Sequence, residues 1–190
     1  MIRAFIALEL EDKETITNII DFGERLKINQ PRMKLVEPQN LHMTVKFLGN
    51  IQESLAPKIY TILNEEINQN LFQNQVFKYE LKDVGQFRNF SVIWLRLIGD
   101  ISFLQKVKDI VEDSLNQKLK IKKDKRKKFT PHLTIARLKK NRINYKSFDA
   151  FKKIINEHKN FDFGPYNIKE VKLKKSVLTP EGPIYSDLIY

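Results

Sequence analysis

Apolar and polar positions along this chain fall into short blocks that switch between two periods. Alternation of about two marks strands, and spacing of about 3.6 marks helices. The block at 3–10 is apolar and brief and reads as a first strand. Residues 12–27 carry Ile16, Ile19, Ile20, Phe22 and Leu26 at helical spacing. A short strand at 34–36 is followed by a turn at Glu37-Pro38-Gln39-Asn40 and an apolar strand over 41–48, which Gly49 ends. Ser54 is placed to cap a helix running to about Asn68. Blocks 76–84 and 92–97 read as a strand pair joined around Gly85 to Phe90. Helical spacing returns over 101–120, and Pro131 opens another apolar strand ending at Leu138. A helix over 148–157, an alternating block over 168–178 and a terminal strand over 184–190 complete the pattern. Gly49, Gly85 and Gly164 read as turn residues, and Trp94 reads as core.

The order strand, helix, strand, strand, helix recurs in each half, and no linker rich in Gly, Ser or Pro divides the halves. The expected architecture is therefore one compact α+β domain over 1–190 with two pseudo-symmetric lobes.

At 190 residues the chain is long enough for a substantial core. Its 42% hydrophobic and 30% charged residues are ordinary for a globular protein, and no apolar run is long enough to span a bilayer. The sequence lacks cysteine, which excludes disulfides, thiolate nucleophiles and Cys-based metal sites. The composition fits a cytoplasmic protein away from membranes, and a monomer is expected. Net charge of +11 changes the picture, because it favours a polyanionic partner. Much of the excess lies between Lys118 and Lys128, which leads directly into the second of two repeated motifs. That run is either a solvated face or a phosphate-attracting rim.

The motifs are His42-Met43-Thr44 and His132-Leu133-Thr134, each inside an apolar strand. Residues two apart on a strand share a face, so each copy sets an imidazole beside a hydroxyl. Two of the three histidines lie in this one repeated pattern, whereas His158 sits in a polar stretch read as exposed. A pair of imidazoles can divide acid and base roles near neutral pH. Thr44 and Thr134 can donate to phosphate oxygens as charge develops. A catalytic zinc site usually needs three protein ligands, and neither motif has a neighbouring carboxylate, so no metal and no cofactor are expected. A phosphate-gripping Gly-rich loop is absent as well. Which imidazole is acid and which is base stays open at this level.

The stretches His42-Met43-Thr44-Val45-Lys46-Phe47-Leu48-Gly49 and Pro131-His132-Leu133-Thr134-Ile135-Ala136-Arg137 resemble the paired signatures of the 2H phosphoesterase superfamily. Within it the chain resembles the RNA 2′,3′-cyclic phosphodiesterase branch, historically called 2′-5′ RNA ligase. Supporting segments include Arg3 to Leu8, Val36 to Leu41, Val84 to Phe87, Val92 to Leu95, Phe129 to Pro131 and Lys175 to Tyr185. The resemblance implies a bilobal fold in which two antiparallel sheets flank a central cleft with helices outside. It implies His42 as proton donor and His132 as proton acceptor. It also implies a reaction that opens a terminal 2′,3′-cyclic phosphate to a 2′-phosphomonoester.

Five further residues are candidate substrate contacts. Lys46 shares strand parity with His42 and Thr44 and is a candidate phosphate ligand. Arg137 lies three after Thr134, on the opposite face unless the strand ends or bulges, and Arg suits phosphate. Phe87, Phe90 and Tyr185 are candidates for stacking on a terminal base, with core packing as the competing role. The expected partner is RNA or a nucleotide with a 2′,3′-cyclic phosphate end. The competing readings are a nucleotide-binding module without turnover, or the same chemistry on ADP-ribose cyclic phosphate or 2′-5′ linked oligonucleotides.

Overall fold

The computed structural model describes residues 1–125, 128–180 and 182–190. Among these residues nine strands form two sheets, and every strand pairing is antiparallel. The strands are β1 (Ile2–Glu9), β2 (Lys34–Leu35), β3 (His42–Ile51), β4 (Phe77–Phe87), β5 (Val92–Ile98), β6 (His132–Arg137), β7 (Asp162–Ile168), β8 (Lys172–Leu178) and β9 (Pro183–Asp187). The helices are α1 (Lys13–Asn29), α2 (Ala56–Ile62), α3 (Ile101–Leu119) and α4 (Phe148–Glu157).

One sheet has the order β3-β1-β8-β9, and the other β2-β6-β5-β4-β7. Setting β2 aside, β3 and β6 occupy the same place in their sheets, each paired with a strand that an α-helix separates from it in sequence. The two motif strands also touch each other. Symmetry therefore exists, but in sheet position and not in the linear order expected. The second half runs strand, strand, helix, strand, helix, strand, and then returns β8 and β9 to the first sheet. The lobes are interlocked, and a single apolar cluster draws on both sheets and all four helices.

Local chemistry explains the elements. Asp12 caps α1 by accepting from the Thr15 amide at 2.8 Å, and Asp100 caps α3 by accepting from the Phe103 amide at 3.0 Å. Helices α1 and α4 pack against the second sheet, and α3 packs against β3 of the first. Ser54 does not cap its helix. It lies in a 3-10 turn, Glu53–Leu55, and α2 continues into a π-helical stretch, Leu63–Phe72. Strand β7 has no counterpart in the expected elements, because Gly164 and Pro165 break its apolar alternation. Gly49, Gly85 and Gly164 all lie within strands and are not turn residues, and β3 runs past Gly49 to Ile51. At Gly85 a Cβ would come within 2.1 Å of the Trp94 ring, so glycine is what lets that indole lie across β4. His158 is buried, not exposed: it packs on Phe22 and donates from Nδ1 to the Ile154 carbonyl at 2.7 Å.

Candidate active site

The burial pattern of the two motif strands is the same over six residues. From His42 and from His132 it runs half-buried, buried, half-buried, buried, buried, exposed. Simple alternation fails after the threonine in both copies, and the pairing register shows why. Ala7 faces Thr44 while Ile6 faces Lys46, so Val45 has no partner on β1. Trp94 faces Thr134 while Ile93 faces Ala136, so Ile135 has no partner on β5. Each strand carries a β-bulge one residue after its threonine, and a bulge reverses the facing of the residues beyond it. The histidine, the threonine and the residue three beyond the threonine thus share one face. Those residues are His42, Thr44 and Phe47 on β3, and His132, Thr134 and Arg137 on β6.

All six line one cleft of about 270 Å³, together with Asn40 and Tyr185. Its charged lining is Arg32, Lys34, Arg137, Lys139 and Arg142 against Glu37, the only carboxylate among the described residues there. The site is built for an anion.

Both imidazoles are oriented the same way. His42 donates from Nδ1 to the Asn40 carbonyl at 2.6 Å, and His132 donates from Nδ1 to the Thr130 carbonyl at 2.8 Å. A carbonyl only accepts, so each Nδ1 carries hydrogen and each Nε2 is left for other partners. The His42 Nε2 meets the Thr44 hydroxyl at 3.1 Å. Each ring also meets an aromatic edge: Tyr185 at 5.3 Å from His42, and Phe87 at 5.1 Å from His132. Burial pushes the His42 imidazole below its ordinary value, with Lys174 and Arg137 adding to that effect and the Asn40 carbonyl and Glu9 opposing it. Burial pushes the Tyr185 phenol up, which keeps it protonated and able to donate.

Two candidates are corrected. Lys46 does not enter the cleft. The bulge turns it inward, where it is 2% exposed and its ammonium meets Glu112 at 2.8 Å and Asp124 at 3.2 Å. Phe90 lies outside the cleft and packs edge-on against Phe148 and Phe151 of α4. Arg137 does line the cleft, through the bulge named above. Tyr185 lines it too, and Phe87 lines an adjoining groove with Thr44, Phe47 and His132. Trp94 is half-buried, stacks on Phe87 at 5.0 Å and meets the His132 ring edge-on at 5.9 Å, and so supports the site.

Sequence reasoning misses other contributors. Asn40 holds His42 through its carbonyl, and its side-chain amide donates to the Pro183 carbonyl at 3.0 Å, tying the first motif to the start of β9. Phe47 stands 69% exposed at the mouth, a cost that folding alone does not explain. Apolar residues on strands usually mean core, and only the bulge marks this one out. Among the described residues, no group of three or more His, Asp or Glu side chains is placed to hold a metal ion.

A model of the AKAP7 2'5' RNA ligase-like domain matches residues 4–186, nearly the whole chain. The chain belongs to that family. It is similar to the RNA 2',3'-cyclic phosphodiesterase of Methanocaldococcus jannaschii, with 37% identity over 96% of each chain. Among solved structures it resembles a protein described as a phosphoesterase, with a TM-score of 0.71 and 23% identity over 99% of this chain and 95% of that one. It also resembles E. coli LigT complexed with 3'-AMP, with a TM-score of 0.68 and 21% identity over the same shares. At these identities the two structures establish the family's fold, which is the two-sheet bilobal architecture expected from the motifs.

Proposed function

We propose that this protein, acting as one domain over residues 1–190, hydrolyses 2′,3′-cyclic phosphate ends of RNA or nucleotides to 2′-phosphomonoesters without a metal. The observation that carries the reading is the matched pair of carbonyl-locked imidazoles lining one cation-rich cleft. The M. jannaschii relative bears the same activity in its name, and LigT of the same fold holds 3'-AMP.

His132 takes a proton from water through Nε2 as the water oxygen bonds to phosphorus. The P–O3′ bond breaks, and His42 gives its Nε2 proton to O3′. Thr44, Thr134 and Arg137 donate to the non-bridging oxygens, where charge grows in the transition state. The division of roles rests on the family resemblance, and His42 adds a condition to it. Burial favours the neutral ring in the free protein. A phosphate anion against Nε2 reverses that preference, so binding arms the acid. Glu37, a single carboxylate, is a poor basis for a metal site, and the surrounding cations supply positive charge without one.

The test is a 2′,3′-cyclic mononucleotide followed by phosphorus NMR. Accumulation of the 2′-monoester alone is expected. Release of the 3′-monoester would mean that the other ester oxygen leaves. Tight binding with no turnover would make the protein a nucleotide-binding module.

A further inference from the structure

A second groove, of about 490 Å³, shares Thr44, Phe47 and His132 with the catalytic cleft but is not lined by Tyr185. Its far wall is formed by Lys125, Lys128 and Phe129. The lysine-rich run that ends there is not uniform. Lys118 pairs with Glu66 and Lys123 with Asp113, so these two cations are already used. Lys125 and Lys128 make no ion pair with a described residue, while Arg126 and Lys127 lie outside the described residues.

The segment carrying Lys125 is held by an unusual device. Asp124 accepts from Lys46 at 3.2 Å and from Lys108 at 2.7 Å, and its amide donates to Glu112 at 2.8 Å. Lys46 also donates to the Lys122 carbonyl at 3.0 Å. Lys46, Lys108 and Glu112 are each less than 7% exposed. Two buried ammonium groups thus neutralise Asp124, the one carboxylate that lines this groove among the described residues. The motif strand β3 and helix α3 pin the loop through charges that would be costly to bury without mutual pairing.

We propose that this groove is a subsite for the nucleotide on the 5′ side of the reacting end, with Lys125 and Lys128 on its phosphate and Asp124 as the positioning residue that fixes them there. This rests on the proposed reaction. A cyclic-ended strand has further phosphates on one side only, so a cleft of about 270 Å³ that holds the terminal nucleotide needs one exit. The second groove supplies that exit, with cations for the backbone and Phe47, Phe87 and Phe129 for an unstacked base.

The experiment compares kcat/KM for a 2′,3′-cyclic-ended hexanucleotide with that for the cyclic mononucleotide. In Lys125→Glu/Lys128→Glu the ratio is expected to fall by about tenfold or more. The salt slope for the hexamer should shrink by ~0.7, the worth of one neutralised phosphate on a single strand. Lys13→Glu/Lys58→Glu, on exposed helical positions, controls for net charge and should keep the wild-type ratio. Asp124→Asn should lower the ratio as well, and Asp124→Glu should recover part of it. A purely structural role would lower melting and scale both substrates alike. A ratio unmoved in the Lys125/Lys128 variant, or one that responds instead to Arg32→Ala/Arg142→Ala, overturns the proposal. If the wild-type protein turns over neither substrate, the proposed reaction fails. Competition binding of the intact cyclic-ended hexamer against the mononucleotide, in the same variants, then still decides the subsite.

Discussion

At the scale of single residues, the proposed mechanism rests on two imidazoles held by backbone at Nδ1, with His42 Nε2 against the Thr44 hydroxyl. His42→Ala and His132→Ala are each expected to slow single turnover by ~10²–10⁴-fold, the usual worth of one acid or base group. The double variant should be little slower than either, because the groups act as a unit. Thr44→Val and Thr134→Val should cost less, each losing one donor to phosphate. Melting curves run in parallel separate chemistry from unfolding, and a histidine variant that keeps its rate removes that residue from the mechanism. Burial of His42 also sets the pH dependence. A general acid with a lowered value loses its proton at lower pH, so in the free protein the alkaline limb moves down. An anion in the cleft pushes the value back up. The alkaline limb of kcat should therefore lie at higher pH than that of kcat/KM, both limbs being properties of the pair. Coincident alkaline limbs would show that the bound anion does not recharge an imidazole.

At the scale of elements, the two β-bulges decide which sequence readings hold. The pairs His42 with Thr44 and His132 with Thr134 are legible because they precede the bulges, where alternation still applies. Lys46 has the parity of His42 and yet faces the core, and Phe47 has the opposite parity and yet faces the cleft. Register depends on what the partner strand offers, so a bulge is invisible in one strand's own sequence. Strand β7 is hidden for a related reason, since Gly164 and Pro165, which an edge strand tolerates, disguise it as a turn. The contrast between Lys46 and Arg137 gives a direct test. Lys46→Met leaves Glu112 and Asp124 with Lys108 alone and should destabilise the fold by ~3–5 kcal/mol in urea, as broken buried ion pairs do. Its defect should therefore be one of stability. Arg137→Met should do the reverse, melting normally while losing ~10–100-fold in kcat/KM, from about 1.5–3 kcal/mol for a charged hydrogen bond. A Lys46→Met protein that is stable but inactive would return that ammonium to the cleft.

At the scale of the whole molecule, the chain brings two similar half-sites together by interlocking its lobes. Strands β8 and β9 come after the second motif in sequence but complete the first sheet, and they bring Tyr185 beside His42. The paired motifs make the two-lobed fold legible, whereas this return of the chain is not, because strand order within a sheet is a long-range choice that local periodicity does not encode. The consequence for chemistry is a cleft whose positive charge comes from separate parts of the chain: Arg32 and Lys34 around β2, Arg137 on β6, and Lys139 and Arg142 beyond it. Those fixed cations can stabilise a developing phosphorane as a divalent ion would, and Glu37 alone offers such an ion little purchase. Turnover of a cyclic mononucleotide should therefore be unchanged by EDTA. Millimolar magnesium should not raise it, and should lower it to the degree that simple screening by sodium chloride of equal ionic strength does. The measurement is initial rate after exhaustive chelation, with and without added divalent ions. Lost activity restored by one particular metal would show that the cations of the cleft are not sufficient and that a metal shares their role.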